Sequence, residues 1–194
     1  ISDNGALVRY KGETIVKTPM DYNLAIEIAK DIISVPNCEV LLSGEKTAYI
    51  MPKTEEYLIR MTKVVQYKTT IIKSLDEIQE DILKVSVCDL SGIANSEKYF
   101  ADKWSDKAAA AVSGDQYMDF MDLCVSKGDA LKKVQKIYGI DRSECMAFGD
   151  NYNDCEMLKQ AEFSYAMASA ADDIKKNALY VTDSVEKILR GELL

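Results

Sequence analysis

The sequence contains no histidine, and this absence restricts its chemistry more than any other feature of the composition. Ser-His-Asp and Cys-His catalysis need an imidazole base, and many zinc sites use imidazole ligands. These classes of site are therefore excluded. Any catalysis by this chain rests on carboxylates, lysine or a metal ion with oxygen ligands.

Cysteine pairs and long apolar runs are also missing. The five cysteines are scattered, odd in number and contain no CxxC pair, so neither a disulfide framework nor a zinc ribbon is indicated. No apolar stretch reaches the roughly 18 to 20 residues that cross a bilayer, and the N-terminus has no signal-peptide pattern. We therefore expect a cytoplasmic protein without a membrane partner.

Positive charge is in deficit, since the formal net charge is -8. Nucleic acids and anionic membranes are bound by clustered Lys and Arg, so neither is an expected partner. Small molecules are the partners that this composition favours. A length of 194 residues fits one large domain or a domain with an inserted module.

The first two thirds of the chain alternate helix and hairpin signals. Thr18 is expected to cap a helix that begins at Pro19 and ends near Pro36, because Thr and Pro are favoured at those positions of a helix start. The segment "CEVLLSGEKTAYIM" predicts two strands joined at Gly44-Glu45. This pattern, from about residue 9 to 120, is typical of an α+β domain.

After Val125 the pattern changes to strands that alternate with short helices. The helix "GDALKKVQKIYG" is followed by the strand "CMAF", and helices and strands then alternate to the end of the chain. Such alternation predicts βα units and a parallel sheet, which places this part of the chain in the α/β class.

An acidic loop, "GDNYND" (Gly149 to Asp154), follows the strand "CMAF". The turns after the carboxyl ends of parallel strands form the ligand crevice of such a sheet. Asp150 is therefore expected at the mouth of that crevice. Its carboxylate suits Mg²⁺, which proteins usually hold with one or two carboxylates together with substrate phosphate and water.

Two other interpretations of this loop compete with a magnesium site. Asp154 could simply cap the helix that follows, because Asp and Asn are common in turns and at helix starts. A calcium loop would require Asp or Asn at Tyr152 and Gly at Cys155. The calcium interpretation fails at both positions, whereas the capping interpretation stays open.

Lys127, in "VSKGDAL", stands at the start of a predicted helix. The free N–H groups of a helix start favour an anion, and an ammonium group there adds a positive charge. A lysine in this position is commonly a solvated surface charge. Together with the acidic loop downstream, however, it indicates a phosphate-binding site.

Four motifs together resemble the haloacid dehalogenase-like phosphatases, specifically the Cof-type group with a large α/β cap. They are "NGA" (residues 4–6), "SKGDAL" (126–131), "GDNYND" with the following "EML" (149–158), and "YAMASAADDIKKNALYVTDS" (165–184). The resemblance implies an α/β fold in which a partial Rossmann-like core with a parallel sheet carries an inserted α+β cap. The implied divisions are a linker and hinge at residues 1–8, the cap at 9–120 and the C-terminal part of the core at 121–194.

Enzymes of this group hydrolyse phosphate monoesters through an aspartyl-phosphate, so the resemblance implies Mg²⁺ as cofactor and a small phosphorylated metabolite, such as a sugar phosphate, as substrate. It also implies a role for each matching residue. Lys127 and Asp154 are the implied catalytic residues, Lys127 and Asn153 the phosphate contacts, Asp150 the metal ligand, and Asn4 and Gly5 the hinge or substrate pocket.

The sequence departs from the family pattern at its most important position. The nucleophile motif, DxDGT-like, and the Ser/Thr motif that follows it are both absent, and Ser169 stands where many relatives carry Asn. We expect that the N-terminal part of the core is missing, that this chain alone is inactive, and that the strand "CMAF" has an open edge available for self-association.

Two further functions stay open. The chain could belong to a catalytically dead relative that binds a phosphorylated ligand or a protein partner. A purely structural α/β domain is the third possibility, but it gives no reason for Lys127 and Asp150 to occur at matching positions.

Overall fold

The structure is a computed structural model that describes residues 1–64 and 68–192. The chain divides into two compact units, one formed by residues 1–16 and 125–194 and the other by residues 17–124. The predicted division into 1–8, 9–120 and 121–194 stays a prediction, and it differs from these units in grouping residues 9–16 with the cap. Within the described residues, no helix is both long and apolar enough to cross a membrane.

The regular elements follow a mixed α/β order. In chain order, the strands are β1 (Leu7–Tyr10), β2 (Glu13–Lys17), β3 (Cys38–Ser43), β4 (Ala48–Ile50), β5 (Thr69–Ile71), β6 (Lys84–Asp89), β7 (Ala109–Val112), β8 (Tyr117–Met121), β9 (Met146–Gly149), β10 (Phe163–Met167) and β11 (Tyr180–Thr182). The helices are α1 (Tyr22–Ser34), α2 (Glu55–Ile59), α3 (Glu97–Trp104), α4 (Lys127–Tyr138), α5 (Cys155–Gln160), α6 (Asp172–Lys175) and α7 (Val185–Leu189). A π-helical turn, Arg60–Val64, follows α2.

The unit of residues 17–124 is built on a six-stranded sheet with the strand order β5-β4-β3-β6-β8-β7. Side chains alternate between its two faces, as in any strand. One face carries the main core, in which Val40, Val85 and Phe120 pack with Ile28 and Ile32 of α1. On the other face, Tyr57 and Met61 pack with Leu41, Ile50 and Cys88.

The other unit contains a parallel sheet with the order β11-β10-β9. This confirms the parallel sheet that the alternating pattern after Val125 predicts. Between β9 and β10 the chain forms α5, whose Leu158 packs with Ala147 of β9. Within the described residues, β9 pairs with a strand on one side only, so the predicted open edge is present.

The start of α1 differs from the prediction. The helix begins at Tyr22 with Asp21 as its cap, because the Asp21 carboxylate accepts a hydrogen bond of 2.9 Å from the Leu24 N–H. The expected start at Pro19 with Thr18 as cap is therefore wrong. Residues 18–21 are not helical, and the N–H of Met20 donates to the carbonyl of Ile82 at 2.8 Å, a long-range contact that no local pattern predicts.

Candidate active site

A cleft of about 540 Å³ lies at the carboxyl ends of β9 and β10. Parallel sheets place their ligand sites at this end. The charged groups in its wall are those of Lys127, Asp150 and Asp154. The remaining lining residues are Ile1, Ser2, Asn4, Gly5, Phe148, Gly149, Met157, Met167 and Val185.

Lys127 is the first residue of α4, and Ser126 caps that helix by accepting a hydrogen bond of 3.0 Å from the Asp129 N–H. The Nζ of Lys127 lies 2.5 Å from Oδ1 of Asp154. The Asp154 side chain is 5% exposed and that of Lys127 is 29% exposed. The structure thus joins the two motifs that the sequence separates, and the ammonium keeps access to the cleft.

Asp154 also organises the acidic loop. Its Oδ2 accepts hydrogen bonds from the backbone N–H groups of Asp150, at 3.0 Å, and Asn151, at 3.2 Å. Burial by itself would raise the pKa of the Asp154 carboxyl, but the hydrogen bond from Lys127 and those from the loop backbone outweigh it, and the pKa lies below its usual value. The carboxylate therefore stays ionised and fixes both the lysine and the loop.

The capping interpretation of Asp154 is wrong for the helix that follows. Helix α5 begins at Cys155, and the Asp154 side chain makes no capping hydrogen bond to it. A carboxylate has only two oxygens, and here one faces Lys127 while the other faces the loop. The side chain that the sequence left between two interpretations therefore belongs to the cleft.

Two glycines permit the close approaches that shape the cleft. A Cβ at Gly149 would lie 2.5 Å from the Cβ of Asp154, so only glycine lets the loop close on this carboxylate. Gly5 has a φ of +108°, and a Cβ there would collide with the carbonyl oxygen of Ser126. Both positions need glycine because backbone and neighbouring atoms come too close for a side chain.

Asp150 is exposed and faces the same cleft. A single carboxylate in a cleft suits Mg²⁺, which proteins usually hold with one or two carboxylates together with phosphate and water. Within the described residues, however, no group of three or more His, Cys, Asp or Glu side chains is arranged to hold a metal ion. Asp150 thus fits as one ligand, and further ligands would come from phosphate, water or another segment.

Asn153 lies beside the cleft rather than in its lining. Its Nδ2 donates to Oδ1 of Asn4 at 3.0 Å, and Asn4 does line the cleft. Asn4 itself has a left-handed backbone, with a φ of 54° and a ψ of 20°. The predicted phosphate contact and the predicted hinge residue are therefore in direct contact with each other.

Sequence reasoning did not identify the apolar part of the lining. Phe148, Met157, Met167 and Val185 come from four separate segments, and no local pattern marks them as neighbours. Ser126 also was not assigned a role. Its signal was present, since Ser immediately before a predicted helix is typical of an N-cap.

Comparison with known proteins identifies the relatives of this chain. A family model described as haloacid dehalogenase-like hydrolase matches residues 1–188. The 5-amino-6-(5-phospho-D-ribitylamino)uracil phosphatase YbjI of Escherichia coli K12 is 25% identical over 203 aligned positions, which cover 99% of this chain and 74% of that protein.

Solved structures agree with this match. The crystal structure of SMU.1108c from Streptococcus mutans UA159 superposes with a TM-score of 0.80 and 27% identity, over 98% of this chain and 74% of that one. The sugar phosphatase BT4131, of HAD subclass IIB, shares the fold with a TM-score of 0.79 and 18% identity, over 97% of this chain and 73% of that one. The chain described here belongs to the haloacid dehalogenase-like hydrolase family.

Proposed function

We propose that this chain provides the lysine-bearing and metal-holding part of a Mg²⁺-dependent phosphatase that acts on a small phosphorylated metabolite. The observation that carries the proposal is the ion pair of Lys127 and Asp154 in a cleft that also presents Asp150. YbjI is named for a phosphorylated ribityl compound, and BT4131 is called a sugar phosphatase. Both names favour a substrate similar to a sugar phosphate.

Each side chain has a distinct task in this proposal. The Lys127 ammonium, oriented by Asp154, would pair with phosphoryl oxygens and stabilise the negative charge that develops on them. Asp150 would hold Mg²⁺, which supplies further charge neutralisation when it is bound. Asn153, whose Nδ2 donates to Oδ1 of Asn4 at 3.0 Å, would contact the phosphate. Asn4 and Gly5 would form the hinge.

The sequence does not provide the carboxylate that would attack the phosphate. The chain contains no DxD sequence, and the proposed reaction passes through an aspartyl-phosphate. We therefore propose that the nucleophile is supplied by a preceding segment of the intact protein, and that residues 1–194 alone release no phosphate. The cytoplasmic location inferred from the composition stays a prediction.

Phosphate release tests this proposal directly. Ribose 5-phosphate would be incubated with the purified chain and with the protein extended to the natural start of its gene, each with and without Mg²⁺. Only the extended protein is expected to release phosphate, and only with Mg²⁺. In that protein Asp150→Ala should abolish release, whereas Asp172→Ala, whose side chain is 94% exposed in α6, should leave it unchanged.

Two results would contradict specific parts of the proposal. Release of phosphate by the chain of 194 residues would show that no external nucleophile is needed. Turnover that survives Asp150→Ala in the extended protein would remove Asp150 from its assigned role as metal ligand.

The alternative is a catalytically dead domain that binds a phosphorylated ligand or a protein partner. The absence of a nucleophile motif from the chain is the observation that favours it. Titration of the extended protein with ribose 5-phosphate would separate the two, because a dead domain would bind the compound without hydrolysing it. Lys127→Gln should weaken this binding, whereas Lys159→Gln should not, since Lys159 pairs with Glu156 on the exposed side of α5.

We also propose that the isolated chain self-associates through β9. Among the described residues this strand has a partner on one side only, and Met146 on it is 44% exposed. Open edges and exposed apolar side chains favour pairing with a second copy. Light scattering should therefore detect a dimer that Met146→Lys weakens, and a monomer at high concentration would contradict the proposal.

A further inference from the structure

A second cavity, of about 550 Å³, lies at the amino ends of β10 and β11. Its walls are the turn before β9, the end of α5, the start of β10 and the segment 176–179 that leads into β11. On β10, Ser164 lines this cavity and Met167 lines the cleft near Lys127. Three strand residues span about 10 Å, so this rear pocket is separate from the candidate active site.

Backbone hydrogen bonds hold the walls of the rear pocket together. The Glu162 N–H donates to the carbonyl of Arg142 at 3.1 Å, which ties the turn before β9 to the start of β10. The Leu179 N–H donates to both the carbonyl and the Oγ of Ser164, at 3.1 and 3.0 Å. The pocket is therefore built into the fold of this unit.

The rear pocket is cationic although the chain as a whole is acidic. Arg142 and Lys176 line it, and within residues 1–64 and 68–192 neither side chain forms an ion pair. Lys159 lines it as well, but its Nζ lies 2.8 Å from Oε1 of Glu156, which balances its charge. Among the described residues, Glu162 is the one carboxylate in the lining. Two unpaired cations against one carboxylate leave a net charge of +1, which favours a monoanion.

A buried hydroxyl group also lines the rear pocket. Ser164 is 3% exposed. Its Oγ accepts the bond from Leu179, but in the described part of the chain its own proton is donated to no acceptor. A hydroxyl can donate one hydrogen bond as well as accept, and buried polar groups are nearly always hydrogen-bonded. The hydroxyl proton therefore suits an oxygen atom of a ligand.

The rest of the lining includes an apolar surface. Leu158 is completely buried, Ala178 packs against the same cluster, and Leu179 is 64% exposed. An apolar group of a ligand would remove this surface from water, which is favourable. The planar donors of Arg142 match the two oxygens of a carboxylate, and a carboxylate is a monoanion.

We propose that the rear pocket binds a small carboxylate that carries an apolar group. Arg142 and Lys176 pair with the carboxylate, Ser164 donates to one of its oxygens, and the apolar group lies on Leu158 and Leu179. A volume near 550 Å³ lies within the roughly 300 to 1,000 Å³ of small-molecule pockets. The proposal does not rest on phosphatase activity, because none of these side chains lines the candidate active site.

Calorimetric titration of the whole chain with benzoate at neutral pH tests this inference, with benzyl alcohol as the uncharged comparison. Benzoate should bind at least about tenfold more tightly, because only it offers a carboxylate to Arg142. Labelled methyl resonances of Leu158 and Ala178, which line the rear pocket, should shift on binding. Resonances of Met167 and Val185, which line the other cleft, should not.

Three variants make the test specific. Arg142→Gln should lower benzoate affinity at least about tenfold, and it should fold normally, because the Arg142 side chain makes no hydrogen bond or ion pair within the described chain. Arg190→Gln is the matched control and should leave affinity unchanged, since Arg190 is 65% exposed, pairs with Glu186 and lies outside the pocket. Glu162→Gln should strengthen binding about threefold, because it removes a carboxylate that repels the ligand.

The proposal would be overturned by no detectable binding of benzoate, by equal binding of benzyl alcohol, or by unchanged affinity in Arg142→Gln. Weaker binding by Glu162→Gln would also contradict it, as would shifts confined to Met167 and Val185. The last result would place the ligand in the cleft near Lys127. Because no measurement involves turnover, failure of the proposed phosphatase activity would leave these results interpretable.

Discussion

The ammonium of Lys127 and the carboxylate of Asp154 lie 2.5 Å apart although 27 positions separate them in the chain. This contact joins the first residue of α4 to the loop after β9. The carboxylate at the same time accepts two backbone hydrogen bonds within the loop. The Asp154 carboxylate therefore fixes both the position of Lys127 and the conformation of the loop that presents Asp150.

Asp154→Asn should reduce the stability of this unit. The neutral amide can accept from the loop or face Lys127, but it cannot balance the ammonium charge, so we expect a loss of about 2 kcal/mol in the free energy of unfolding. The single tryptophan lies in the other unit, so its fluorescence does not report on this one. Hydrogen exchange of the α4 amides is therefore the suitable measurement. Asp172→Asn, at an exposed carboxylate, should change stability by no more than about 0.5 kcal/mol, and equal effects of both variants would contradict the assignment.

The effect of Asp154 on stability should depend on pH. Its pKa in the folded chain lies below the reference value of 3.8, so its stabilisation is fully present above that value and is lost as the pH falls through the lowered folded pKa. The difference in unfolding free energy between the natural chain and Asp154→Asn should thus be constant near neutral pH and shrink below about pH 4. Urea unfolding measured over this range would check it, and a difference that persists in acid would refute the ionic explanation.

Gly149→Ala should displace Asp154. The added methyl group would lie 2.5 Å from the Asp154 Cβ, and overpacking of this kind costs about 1 to 3 kcal/mol. Gly139→Ala is the matched control, because a Cβ there meets no atom within 4 Å and only its φ of +64° opposes the change. Gly149→Ala, unlike the control, should also reduce the acid dependence due to Asp154, as measured by urea unfolding at several pH values.

Asp31 should be the carboxylate of α1 whose replacement lowers the free energy of unfolding most. It accepts hydrogen bonds from Trp104 Nε1 at 2.8 Å and from the Tyr99 hydroxyl at 2.9 Å, and Nζ of Lys103 lies 2.5 Å away. Asp31→Asn should therefore lower the free energy of unfolding by about 2 kcal/mol and change the fluorescence of Trp104.

Asp102→Asn provides the comparison for Asp31. Asp102, which lies on α3, is 65% exposed and pairs with Lys98, and exposed pairs contribute about 0 to 1 kcal/mol. If both variants unfold at the same urea concentration, as followed by Trp104 fluorescence, the contacts of Asp31 stabilise the fold no more than the exposed pair of Asp102 does.

Local patterns were sufficient for much of the fold. The strands on either side of Gly44 form the expected antiparallel pair, with Leu42 opposite Tyr49, because alternation and turn residues act over a few positions. The hairpin of β1 and β2 and the strand β7 were not predicted. Strand β7, "AAAV", contains three alanines, which have low strand propensity, and it forms because Met118 to Met121 of β8 provide a pairing edge.

The sequence by itself determined the family motifs, the α/β class and the candidate residues Lys127 and Asp150, since each depends on the order of residue types along a short segment. Only the tertiary structure decided that Asp154 binds Lys127 instead of capping α5, that Asn153 contacts Asn4, and that Arg142, Ser164 and Lys176 share a pocket. Those outcomes depend on distances between residues far apart in the chain. Such distances arise from strand register and close packing, which no local pattern encodes.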